Sequence, residues 1–189
     1  MRYLVKMQKI HILMLVGIMF FLTSCTNATH MEKDTRIVFL HHSTGKVIWR
    51  GGVSRYMHKL GMKGAVEKWF KDYNRKHKTH YQITERDFPT RDDYGWKNYP
   101  YDYYNIWVKN SGEGAYMGQP TLEMLTDNND LIIFKHCFPV AKVQESDDTG
   151  DIDSEKKTLI NYKLQYDALK RKMHEFPDTK FLLWTGAAR

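Results

Sequence analysis

Apolar residues in this chain gather in four short runs separated by longer amphipathic stretches. Residues 36–40, Arg-Ile-Val-Phe-Leu, are rich in β-branched and aromatic types and read as a buried strand that stops at His41-His42-Ser43-Thr44-Gly45. His80 to Phe88 alternates through Tyr81 and Ile83 and gives a second strand. Asp130 to Phe134 gives a third, ending at Lys135-His136-Cys137-Phe138-Pro139, and Lys180 to Trp184 a fourth. From Val53 to His77 the apolar positions fall at helical spacing (Val53, Tyr56, Met57 and Leu60, then Ala65, Val66, Trp69, Phe70 and Tyr73), and Gly61 and Gly64 divide the stretch into two helices. Pro120 to Leu125 suits a short helix with proline in its first turn. Leu159, Tyr162, Leu164, Tyr166, Leu169 and Met173 form the stripe of a helix running to about Glu175. Ser154 is its expected cap, without a capping box because Lys157 stands three residues on. Residues 89–119 have no clear period, and residues 144–153 form an acidic loop. Strands separated by helices predict parallel pairing with right-handed crossovers, an α/β domain whose strand C-termini share one edge.

The front of the chain changes the picture. Arg2, Lys6 and Lys9 precede an apolar stretch from Ile10 to Leu22, the length of a signal h-region and short for a membrane span. Leu22-Thr23-Ser24-Cys25 then resembles the lipobox of bacterial lipoproteins. That resemblance implies cleavage after residue 24 and a lipid on Cys25. A tether over 25–35, a domain over 36–189 and a location in the bacterial cell envelope, at the outer membrane or cell surface, are expected with it, the membrane itself being a partner. Losing residues 1–24 lowers the formal charge of +7 to about +4. The densest basic stretch, Lys68 to His80, also holds Glu67 and Asp72 beside it and reads as the solvated face of a helix; with no zinc-finger or aromatic RNA-binding signature, no nucleic-acid partner is expected. With Cys25 lipidated, Cys137 is the one other cysteine, so no disulfide is expected and the domain relies on packing.

The polar clusters His41–Gly45, Asn110–Gly114 and Lys135–Phe138 all follow apolar runs or turns that the topology can bring to the ligand-binding edge of an open sheet. Ser43, in a sharp turn after the first strand, is the candidate nucleophile, with its own N–H and that of Gly45 as oxyanion donors; the alternative is that Ser43 caps the next helix. His41, His42 and His136 lack H-x-H or H-x-x-x-H spacing, so neither a metal nor another cofactor is expected. Cys137 beside His136 reads as a core cysteine. Between Arg91 and Tyr116, Tyr94, Trp96, Tyr99, Tyr101, Tyr103, Tyr104, Trp107 and Tyr116 are interleaved with Asp92, Asp93, Asp102 and Asn98. Such residues suit sugar rings or the packing of a long loop; packing is expected for most, with Trp96, Tyr99 and Tyr101 as candidate substrate platforms.

Phe39-Leu40-His41-His42-Ser43-Thr44-Gly45, Leu131 to Pro139, and the helix from Tyr162 to Pro177 together resemble an envelope branch of the SGNH/GDSL-type hydrolases over residues 36–185. The resemblance implies a three-layer, flavodoxin-like parallel sheet and ester hydrolysis, often on glycans or lipids. It implies Ser43 as nucleophile, Gly112 as the second-block glycine and the Lys135 region as a further oxyanion donor. Three departures stand out. His42 replaces the usual Asp before the serine, Lys135-His136-Cys137-Phe138 replaces G-x-N-D, and no D-x-x-H pair follows the fourth strand before Arg189. The chain is therefore expected to lack the last strand and helix of that fold. The base then falls to His41, His42 or His136, of which His136 can face Ser43 across the sheet edge. Two functions remain open: a membrane-anchored hydrolase acting on an ester of a glycan or other envelope substrate, or a non-catalytic surface lipoprotein binding a glycan or a protein partner.

Overall fold

The computed structural model describes residues 34–90, 93–95, 97–145 and 149–184. The expected signal, most of the tether including Cys25, and Trp96 lie outside these. Four strands, β1 (Thr35–His41), β2 (Tyr81–Asp87), β3 (Leu131–Lys135) and β4 (Lys180–Trp184), form one sheet in the order β2-β1-β3-β4. Every pair is parallel, with Val38 aligned to Thr84 and Ile132, and Ile132 to Phe181. Helices cover both faces, so the domain is an α/β three-layer structure whose strand order is that of the first four strands of a flavodoxin-like sheet. The chain steps from β1 to β2 on one side and then to β3 on the other. The direction thus reverses between β1 and β3, where open α/β sheets hold ligands.

Alternation along the strands divides the residues between two unlike faces. Val38, Leu40, Ile132 and Phe134 point to one, where they join Phe88, Tyr103, Ile106, Trp107, Leu122 and Leu169 in the main core. This face is covered by α4 (Pro100–Tyr104), the π-turn that continues it (Asn105–Lys109), α5 (Leu122–Asn128) and α6 (Leu159–Met173). Ile37, Phe39 and His41 point to the other face, with Tyr81, Ile83 and Glu85 beside them. There α1 (Thr44–Arg50) buries Trp49, and α3 (Ala65–His77) sets Phe70 and Tyr73 against Tyr81, with ring centroids 6.2 and 6.0 Å apart. Between them α2 (Arg55–Lys59) is a single short turn of helix that buries no residue. Among the described residues no helix is long and apolar enough to cross a membrane.

The strands and the divided helix pair match the pattern of apolar positions; three features do not. The segment 44–50, to which the pattern of apolar positions assigns no element, is helical although Val47 and Ile48 are exposed and Trp49 alone is its buried aromatic. The stretch 89–119, which shows no period, contains α4 and the π-turn, and its Tyr103, Ile106 and Trp107 are wholly buried. The last long helix starts at Leu159 rather than Ser154, because Thr158, not Ser154, receives the N–H of Asn161 (3.3 Å).

Candidate functional site

The chain leaves β1 through a tight turn. Gly45 N–H donates to the carbonyl of His42 (2.8 Å), closing a four-residue turn with Ser43 at its first corner. Ser43 has φ 45° and ψ −102°, close to the first corner of a type II′ turn, which normally requires glycine. A non-glycine residue held in so sparsely populated a region costs about 1–3 kcal/mol. The glycine of this motif is needed two positions later: a Cβ on Gly45 would overlap the His41 side chain, 2.6 Å from its Nδ1. Gly45 therefore lets α1 drop onto the end of β1, while Ser43 takes up the strain. Ser43 stands at the N-cap position of α1, but its side chain is exposed and makes no capping hydrogen bond. Because Gly45 N–H is committed to the turn, the expectation that it serves an oxyanion is corrected.

The three histidines have different surroundings. His41 is fully buried, 4.5 Å from the Phe39 ring by centroids; its Nε2 meets Glu85 Oε2 at 2.8 Å and its Nδ1 has no partner. Since a carboxylate only accepts, Nε2–H is the donor to Glu85. His42 turns away, its Nε2 on the carbonyl of Pro89, and burial pushes its pKa down. His136, expected opposite Ser43, is instead enclosed by Tyr103 (4.8 Å), Tyr166 (5.6 Å) and Phe134 (6.1 Å) on the main-core face. Burial lowers its pKa to about 3, outweighing the opposing pull of the nearby Asn98 backbone, so the ring is neutral near pH 7. The cause is register: Phe134 and His136 share the face that α4 and α6 cover. His136 is thus a core residue and not the partner of Ser43.

The other expected contributors are also engaged elsewhere. Lys135 Nζ donates to the carbonyl of His136 (2.9 Å), within its own turn. The carbonyl of Gly112 accepts from Thr121 Oγ1 (2.5 Å) at the start of α5, and Gly112 does not line the cleft at Ser43. Tyr99 opens α4, its N–H on Asp102 Oδ2 (2.7 Å) and Lys157 Nζ 4.9 Å from its ring centre. Tyr101 is half-buried beside Tyr104 and, with Tyr94, Asp102 and Asn105, lines a cavity of about 200 Å³. Burial there lifts the Asp102 carboxyl to about 6. Tyr101 and Tyr94 keep an edge on this cavity, whereas Tyr103 and Trp107 are packing residues. Cys137 is a buried free thiol.

Ser43 opens onto a cleft of about 410 Å³. Its walls are Lys46 and Arg50 from α1, Arg55, His58 and Lys59 from α2, and Glu85 from β2. Lys46 is neutralised by Asp87 (2.5 Å), and His58 lies 3.9 Å from Glu67. Glu85 therefore touches both the cleft of Ser43 and the buried ring of His41. Sequence reasoning missed this pair, although continuing the period of Tyr81 and Ile83 places Glu85 on an inward position, where an acid needs a partner. Among the described residues no group of three or more His, Cys, Asp or Glu side chains could hold a metal ion.

The site and sheet define a parallel α/β domain with a strained serine at the C-terminal end of a central strand. Compared with family models, curated proteins and solved structures, the chain matches none.

Proposed function

We propose that this chain is a membrane-anchored, SGNH-like serine hydrolase, tethered through a lipid on Cys25 and acting on an ester of a glycan or other envelope substrate. One observation carries the reading. A serine occupies a turn corner that favours glycine, with its side chain exposed, without a capping hydrogen bond and open to a cleft. Strain kept at an exposed nucleophilic side chain is a recurring property of strand-to-helix nucleophile turns.

In this mechanism Ser43 Oγ attacks the ester carbonyl and its proton leaves to a base; the alcohol departs and water then releases the acyl group. His41 is the base best supported by its surroundings. Glu85 fixes Nε2 and leaves Nδ1 to accept a proton, and the ring packs against the same turn. No hydrogen bond joins Nδ1 to Ser43 Oγ, so substrate binding must bring them together, a tightening common on going from a free site to a complex.

A fluorophosphonate probe tests the reading. The expected result is an adduct mapped by mass spectrometry to Ser43 and lost in Ser43→Ala. Incorporation of a fatty-acid label in the wild-type chain but not in Cys25→Ala checks the anchor. A second reading, a non-catalytic binding module, is favoured by the commitment of Gly45 N–H and Lys135 Nζ to their own turns, which leaves no oxyanion donor at either position. A folded protein that takes no label but binds envelope glycan would select it.

A further inference from the structure

We propose that the cleft at Ser43 selects a glycan substrate that carries a negative charge, a carboxylate or phosphate, close to the ester. The inference rests on the hydrolase reading for its chemistry, but its binding step stands on the charge of the cleft. Arg55 and Lys59 lie four residues apart on α2 and so share one face of that turn, and both line the cleft. Neither has an ion-pair partner among the described residues. Arg50 faces them from the end of α1, its Nε donating to the carbonyl of Lys46 (3.2 Å), a neutral acceptor. Of the acids nearby, Asp87 is paired with Lys46 and Glu67 does not line the cleft; Glu85, the one acid that does, bonds His41 and keeps its negative charge opposite the three cations.

Arg50, Arg55 and Lys59, none with an ion-pair partner among the described residues, thus outnumber the one acid of this concavity, and the exposed hydroxyl of the chain's candidate nucleophile lies in it. Like charges around one concavity reinforce one another's field and concentrate an oppositely charged ligand, an effect that salt screens. An anion held there would place its ester next to Ser43, and the same cations would favour the negative charge that develops on the carbonyl oxygen. A concave cleft fits a charged group on a sugar better than it fits a flat surface. The exposed apolar side chains of Tyr56 (69%) and Leu60 (65%) nevertheless make an anionic membrane surface the competing occupant.

The test uses the Ser43→Ala chain, which retains the cleft without turnover. Its binding to an oligogalacturonate, to the neutral reduced form of the same oligosaccharide, and to phosphatidylglycerol vesicles is measured by calorimetry, with NMR amide shifts locating the site. Binding of the charged oligosaccharide should be at least about tenfold tighter than that of the neutral one, equivalent to about 1.4 kcal/mol. It should weaken with salt, move amides between residues 43 and 59, and fall to the neutral value in Arg55→Gln/Lys59→Gln. Arg50→Gln is a second variant outside α2 and should reduce it several-fold. Equal affinity for the two oligosaccharides, no binding of either, insensitivity to these substitutions, or binding to vesicles alone would overturn the proposal. Phosphonate labelling of wild-type Ser43 is scored separately. A label without charge preference removes only the anionic-substrate inference, and charge preference without a label removes only the hydrolase reading.

Discussion

The ends of β1 and β3 lie side by side at the point where the sheet changes direction, and each continues into a polar turn. At the end of β1 the chain is strained and wet: Ser43 is exposed and faces a cleft in which cations outnumber acids. At the end of β3 it is relaxed and dry: His136 is buried among aromatic rings. Residue type alone would have made His136 the reactive group. Alternation and what covers each face decide otherwise, since a residue facing the main core is sealed whatever its chemistry.

The largest expected effect tests how far the dry end depends on its aromatic wall. Trp107 is fully buried against Phe88, Tyr103 and Phe134. Trp107→Ala should cost about 3–5 kcal/mol in urea unfolding, and phosphonate labelling of the protein that remains folded should persist. A smaller loss would mean that the core around His136 collapses readily.

Next in size is a pair of opposed pH dependences. His136 has a folded pKa of about 3, below its unfolded value of about 6.5, so its contribution is complete above the latter and lost as pH falls towards the former. Asp102, lifted to about 6 from an unfolded value of about 3.9, acts in the other sense: its contribution is complete below the unfolded value and lost as pH rises through 6. Between about pH 4 and 6 the slopes, each about 1.4 kcal/mol per pH unit, oppose one another. Denaturation across this range should show stability rising with acid in His136→Phe and falling with acid in Asp102→Asn. Parallel curves in the two variants would show that neither group titrates as its burial implies.

Gly45→Ala probes the join between the turn and β1. The added Cβ meets the buried His41 ring, and a loss of about 1–3 kcal/mol is expected in thermal or urea melts, with slower labelling of Ser43 because the corner shifts. The smallest effect has the opposite sign. Ser43→Gly should stabilise the domain by about 1 kcal/mol through relief of the corner while abolishing the label. A destabilised Ser43→Gly would show that the serine stands there for the fold.

Much of the architecture was legible because the four strands pair a short apolar run with a polar stop, and the helices over 53–77 keep their period apart from the break at Gly61 and Gly64. The segment carrying Tyr103, Ile106 and Trp107 was not, because five helical residues followed by a π-turn never complete a regular stripe. At the site, the position of Ser43 could be read from the abrupt end of β1. Its strain could not, since the sequence offers Gly45 as the obvious residue for unusual backbone. The cleft was hidden for another reason: Arg50, Arg55 and Lys59 belong to two helices, and only the turn between them places their charges together.

The cleft wall formed by α2 has one more consequence. Five residues are far too few to hold a helix in water by themselves, none of these is buried, and the turn rests on a cap in which Ser54 Oγ accepts from Met57 N (3.2 Å). Hydrogen exchange in this wall therefore runs through local opening, and its amides should lose protection at the same rate in Trp107→Ala as in the wild type, while those of β1 and β3 track global unfolding. If the wall bearing Arg55 and Lys59 opens in this way while the sheet beneath it stays closed, the glycan of the proposed reaction need not thread a fixed opening to reach Ser43.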